Sequence, residues 1–267
     1  QFDPPQAISM FEGLLAKNPD GMCVVPNPQE PWLPIIDKYA DEAKIIMVAN
    51  GDAPGTKRQA YYGVDEVEFG RAEARAVIDA GVTKGKVIVG SCYPPALPLQ
   101  QRWQGVQEVF ADYPDIELLG PFDVTAEQTT NYNAWENLVT ANPDVAAVIG
   151  LCTFTGPTFA RLYPRLGMDF VVVTADLVEE TLKGIQEGSV TAAIGQHPYL
   201  QGYLPIRDMA LYYLEGKPLP EGHVALPMET VTKENVDTVI ARQSDPKVQY
   251  EWYHEFIPKA VKEIYGQ

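Results

Sequence analysis

At 267 residues the chain has room for one large domain or two ordinary ones, because a single hydrophobic core stops growing near about 250–300 residues. Its 46% hydrophobic and 21% charged residues exclude wholesale disorder and leave ample apolar side chain for a sizeable core. With 36 acidic against 20 basic residues, the net charge of −16 opposes nucleic acid and anionic membrane surfaces, so neither is expected as a partner.

The chain opens on Gln1-Phe2-Asp3-Pro4-Pro5, which has neither the basic nor the apolar region of a signal peptide, and no apolar run is long enough to cross a bilayer. Apolar residues at helical spacing follow in Ile8/Phe11/Leu15. Short apolar runs at 21–26 and 44–50 then predict strands, and Phe69/Ala72/Ala76 predict a helix. Further strands are expected at 86–91, 145–151, 170–174 and 190–195. Between them Leu99/Trp103/Val106/Phe110, Trp135/Leu138/Val139 and Phe159/Leu162/Leu166 have helical spacing. Such alternation specifies an α/β fold, with parallel sheets covered by helices and ligands held beyond the carboxyl ends of the strands.

Those ends carry Asn50-Gly51-Asp52, Ser91-Cys92-Tyr93, Leu151-Cys152-Thr153-Phe154, Thr174-Ala175-Asp176 and Gln196-His197-Pro198-Tyr199. For any one of these polar residues alone a helix-cap or turn role is the better reading, but their recurrence at successive strand ends points to a site. Cys23, Cys92 and Cys152 are odd in number and widely spaced, and are expected as small buried side chains. His197, His223 and His254 lack metal-site spacing, so no metal and no cofactor is expected. Gly-x-Gly-x-x-Gly, phosphate-loop and Gly-x-Ser-x-Gly patterns are absent, and the histidines offer no evident base partner, so the chain is not read as an enzyme.

Several stretches, in order over most of the chain, resemble the ribose-binding-protein branch of the periplasmic solute-binding proteins of ABC importers, the type I fold. They are Tyr62-Gly63-Val64-Asp65-Glu66 with Gly70-Arg71-Ala72, Gln101-Arg102-Trp103-Gln104-Gly105, and Asn142-Pro143-Asp144-Val145-Ala146-Ala147-Val148. Thr174-Ala175-Asp176, Gln196-His197-Pro198-Tyr199-Leu200-Gln201-Gly202-Tyr203 and Val231-Thr232-Lys233-Glu234-Asn235-Val236 complete them. The resemblance implies two Rossmann-like lobes joined by a hinge that the chain crosses three times, near Val64-Asp65, Gln196-His197 and Leu226-Pro227. Residues 1–64 with 197–226 would form the N-terminal lobe, and 65–196 with 227–267 the C-terminal lobe. A C-terminal helix is expected over 246–265, packed on the lobe that the third crossing enters. The family's opening strand, helix and second strand find no counterpart after Gln1, so the N-terminal lobe is expected to be incomplete.

By the same resemblance the ligand is a small sugar or polyol held between the lobes, and the partner is an ABC transporter membrane permease. The protein would be exported to the periplasm, without membrane insertion, as a monomer. The family's binding positions carry over onto Asn50, Arg102, Asp176 and Gln196, whose amides, carboxylate and guanidinium suit hydroxyl groups. Phe122 matches a ring-stacking position, and Phe154, Tyr93, Tyr199 and Trp32 are further aromatic candidates. For Arg102 a surface helix position, and for Asp176 an N-cap of a helix starting near Val178, remain open alternatives. At Leu151-Cys152-Thr153 the ribose binders place an asparagine-aspartate pair, so the ligand need not be ribose. The same fold also serves as the ligand-sensing domain of regulators and receptors.

Overall fold

Two sheets organise the chain in the computed structural model, which describes residues 3–42, 44–167 and 169–266; Gln1 and Phe2, at the opening of the chain, lie outside them. The first sheet contains β1 (Gly21–Val24), β2 (Ile45–Ala49), β3 (Ala60–Gly63) and β9 (Gly222–Ala225), all parallel, in the order β1-β2-β3-β9. The second contains β4 (Gly85–Ser91), β5 (Ile116–Asp123), β6 (Val145–Gly150), β7 (Val171–Ala175), β8 (Ala192–Gly195) and β10 (Glu229–Thr232), in the order β10-β8-β7-β6-β4-β5. Its strands are parallel except β10, which runs antiparallel to β8 along one edge.

Every strand expected from the sequence forms, because runs such as Ile45–Ala49 and Val171–Ala175 are buried on both faces and need no alternation. Of the strands not foreseen, β3 is buried throughout but is only four residues long, Ala60-Tyr61-Tyr62-Gly63, whereas β5, β9 and β10 lack such a run. In β9 and β10 a single residue each, Val224 and Val231, is buried. Edge strand β5 contains Gly120-Pro121, and proline, having no N–H to donate, is tolerated at an edge.

Helices cover the sheets: α1 (Pro4–Leu15), α2 (Leu33–Asp41), α3 (Glu66–Asp79), α4 (Leu97–Phe110), α5 (Gln128–Ala141), α6 (Thr155–Leu166), α7 (Glu179–Glu187), α8 (Pro198–Glu215), α9 (Val236–Gln243) and α10 (Pro246–Tyr265). The closest pairing is α3 on α4. It explains two motif glycines, since a Cβ on Gly70 would overlap the Arg102 backbone and one on Gly105 the Val67 carbonyl.

The two sheets belong to two α/β lobes, and between β3 and β10 the chain passes between them three times. After β3, Asp65 caps α3 by accepting from the Val67 and Glu68 N–H groups, each at 3.0 Å, and α3 lies on the second sheet. After β8, α8 returns to lie on β1, β2 and β3. After β9, the Leu226 N–H donates to the Gly63 carbonyl at 2.9 Å before the chain enters β10, so the first and third crossings run side by side.

Two expectations are corrected. Helix α10 spans the expected residues but does not stay on the second lobe. Its apolar face, with Tyr253 and Ala260, joins a core shared with Leu200 and Leu204 of α8, and the Tyr265 hydroxyl donates to Asp208, as Tyr62 of β3 does at 2.8 Å. Cys92 and Cys152 are not simply buried thiols, for they pair as a disulfide between the carboxyl ends of β4 and β6. These strands are neighbours in the second sheet, a fact that the 60-residue separation in sequence hides.

Candidate functional site

A cavity of about 400 Å³ lies where strand ends from both sheets meet. Asn50 follows β2, Thr153 follows β6, Asp176 follows β7, and Gln196 and His197 follow β8; Tyr199 adds a side chain from the first turn of α8. A further wall comes from Arg242, Gln249 and Tyr253 of the segment from α9 to α10.

Local backbone conformation marks the same place. Asn50 (φ 49°), Asp176 (φ 69°) and His197 (φ 48°) are left-handed, a conformation uncommon outside glycine. All three line this cavity, and residues held in such conformations cluster at functional sites.

The polar groups of the cavity are tied to one another. The Thr153 hydroxyl donates to Asp176 Oδ2, and Gln196 Nε2 donates to Asp176 Oδ1 at 2.7 Å. Gln201 Nε2 in turn donates to both Gln196 Oε1 and the Gln196 carbonyl, each at 3.2 Å. The capping alternative for Asp176 does not hold: α7 starts after Val178, and no side chain bonds its free N–H groups. Burial depresses the His197 imidazole below its usual range, which keeps the ring neutral at pH 7 against Trp252 and Phe256. Arg242 forks onto Glu229 at 2.7 and 3.1 Å and lies over the Trp252 ring, fixing the outer wall.

Of the residues singled out from sequence, the structure brings Asn50, Asp176, Gln196 and Tyr199 to this cavity. Tyr199 is half exposed and stacks on Tyr253 with ring centroids 4.3 Å apart. Arg102 is neither a surface arginine nor a cavity-lining one. It is 4% exposed under the strand ends, with Nε on Glu66 Oε2 at 2.6 Å, Nη1 on the Leu151 carbonyl at 3.0 Å, and its guanidinium over Phe69. Phe122, exposed at the end of edge strand β5, also lies away from the cavity lining. So do the half-buried Tyr93 and Phe154, and Trp32 is core, edge-on to Phe11. Sequence reasoning missed Thr153 as an individual contributor and all of the α9–α10 wall. Thr153 carried a signal, since it follows a strand end beside Cys152; the wall carried none, because tertiary packing alone brings it over.

Against known proteins, residues 1–218 match the family model described as a periplasmic binding protein domain. The chain belongs to that family. It is therefore a binding protein and not an enzyme. Among solved structures, an ABC transporter solute-binding protein from Agrobacterium vitis, bound with α-D-tagatopyranose, is 26% identical. Its TM-score is 0.80, and the match covers 91% of this chain and 85% of that one. One from Burkholderia graminis, in complex with D-arabinose, is 20% identical with TM-score 0.80, over 87% and 82% of the two chains. The fructose-binding periplasmic domain of a hybrid two-component system is 18% identical with TM-score 0.81, over 93% and 85%. The cavity opens at the carboxyl ends of parallel strands, where ligands bind in open α/β sheets. Among the described residues no group of three or more His, Cys, Asp and Glu could hold a metal ion, and no helix is long and apolar enough to cross a membrane.

Proposed function

We propose that this protein captures a small sugar or polyol in the cavity at Asn50, Asp176 and Gln196, and hands it to an ABC transporter membrane permease. The observation that carries this reading is the Asp176 carboxylate, held by Thr153 and Gln196 at the junction of the two sheets. The carboxylate accepts from neighbouring hydroxyls while the amides of Asn50 and Gln196 both donate and accept, and hydrogen bonds to a carboxylate are about twice as strong as neutral ones. The sugar-bound relatives from Agrobacterium vitis and Burkholderia graminis support the ligand class.

In this reading residues 1–64 with 197–226 form one lobe and 65–196 with 227–267 the other, with α10 reaching back onto α8. Asn50 then stands on the first lobe, Asp176 on the second and Gln196 at a crossing. A ligand touching all three binds the closed form better than the open one, and that difference drives closure. The disulfide fits an exported protein working in an oxidising compartment, and the family's usual extracytoplasmic setting agrees with it.

Thermal-shift screening of D-tagatose, D-arabinose, D-fructose, D-allose and linear polyols, followed by calorimetry, tests the proposal, since a ligand bound only by the folded state raises apparent stability. Asp176→Ala should weaken the best ligand by about 2 kcal/mol, roughly thirtyfold, while the unliganded chain keeps its melting temperature. Unchanged affinity would place the site elsewhere.

The likeness to a sensor domain favours one second reading, a ligand-sensing domain of a signalling receptor. Stimulation of a reconstituted permease's ATPase by the liganded protein separates the two: the importer subunit stimulates it and the sensor does not.

A further inference from the structure

Asp176 is the only acid among the described residues that line the cavity, and it stands in a loop just beyond β7. A carboxylate there turns freely about its side-chain bonds unless something holds it. Hydrogen bonds to a sugar are directional, so affinity depends on how much of that freedom has been removed beforehand.

Each Asp176 oxygen takes one donor from the protein, Oδ2 from the Thr153 hydroxyl and Oδ1 from Gln196 Nε2. Each carboxylate oxygen has two lone pairs, so one on each oxygen is left for the ligand and its direction is set. Gln196 is fixed in turn by Gln201, which is 4% exposed on α8 and grips both the side-chain and main-chain oxygens of Gln196. Thr153 is fixed because it follows Cys152, tied through its disulfide to the end of β4. The chain of contacts runs from disulfide to hydroxyl to carboxylate to amide to α8, across the junction of the lobes.

We propose that Thr153 and Gln201 are positioning residues for the sugar site: they act through Asp176 and Gln196, holding the carboxylate and amide in the one orientation that meets the ligand's hydroxyls. The inference rests on the sugar-capture reading given above and assigns the residues that set its affinity.

The test is calorimetric titration of the full chain with D-tagatose, D-arabinose, D-fructose and D-allose. The wild type, Thr153→Val, Thr153→Ser, Asp176→Asn and the Thr153→Val/Asp176→Asn double variant are compared, with unliganded melting temperatures recorded alongside. Thr153→Val keeps the shape but loses the donor, and should lower affinity about tenfold with an unchanged melting temperature. Thr153→Ser, which keeps the hydroxyl, should restore it. In the Asp176→Asn background Thr153→Val should have no further effect, because two residues acting through one contact are not additive. Wild-type affinity in Thr153→Val, or a full tenfold loss repeated in the Asp176→Asn background, would overturn the positioning role while leaving sugar capture intact. A wild-type chain that binds none of the four sugars would instead refute the sugar-capture reading itself.

Discussion

Arg102 and Asp176 carry opposite charges near the same strand ends, yet their surroundings give them different work. Asp176 meets the cavity, whereas Arg102 lies beneath it in an ion pair whose side chains are each 4% exposed. Arg102→Ala strands the Glu66 carboxylate and removes the donor to the Leu151 carbonyl, which costs about 3–5 kcal/mol when a buried pair loses one partner. Urea unfolding should show that loss in the absence of any ligand. Glu73, fully buried nearby, has no hydrogen-bond partner among the described residues for either carboxylate oxygen, and burial lifts its pKa well above 4.5. The folded state therefore keeps a proton that the unfolded state has released, and stability falls as pH rises from about 4.5 toward the raised value. Glu73→Gln removes that titration, so its unfolding free energy should gain on the wild type as pH rises above about 4.5. Equal pH slopes in the two proteins would contradict the assignment.

At the scale of elements, the disulfide ties β4 to β6 and, through Cys152, steadies the turn that carries Thr153. A link closing a loop of this length stabilises by about 2–4 kcal/mol, so reduction should lower the unfolding midpoint by a corresponding amount. Non-reducing peptide mapping should recover Cys92 joined to Cys152 and Cys23 as a free thiol. Burial pushes the Cys23 thiol up to about 12, so alkylation of the folded protein at pH 7–8 should spare it. The contact of α3 with α4 has a different basis, in which Gly70 and Gly105 let the two helices touch backbone to backbone. This contact brings Glu66, on the first turn of α3, beside Arg102 of α4.

At the scale of the molecule, the proposed capture mechanism has two lobes joined by three short crossings, with few covalent restraints on their relative angle, so that closure would be governed by what the cleft contains. A ligand bridging Asn50 and Asp176 should reduce the radius of gyration in solution scattering, and Asp176→Ala should abolish that change at ligand concentrations that saturate the wild type. The reach of α10 back to Asp208 adds a strap between the third crossing and α8. Scattering from the unliganded chain that already matches the liganded form would mean that the strap, and not the ligand, holds the lobes together.

The sequence by itself determined the strand–helix alternation, the strands buried on both faces and the cluster of polar residues at their carboxyl ends, because each of these depends on local periodicity and on the chemistry of a few neighbouring side chains. Asn50, Asp176, Gln196 and Tyr199 were legible as candidates for that reason. Edge strands β9 and β10 were not, since each is recruited by a neighbour already in place and buries one residue. Which polar residue faces the cavity was also beyond it: Arg102 has the chemistry of a ligand residue, but the approach of α3 gives it Glu66 as a partner. The Cys92–Cys152 pairing and the wall of Arg242, Gln249 and Tyr253 depend on contacts between residues far apart in the chain, and only the packing of sheets and helices brings those residues together.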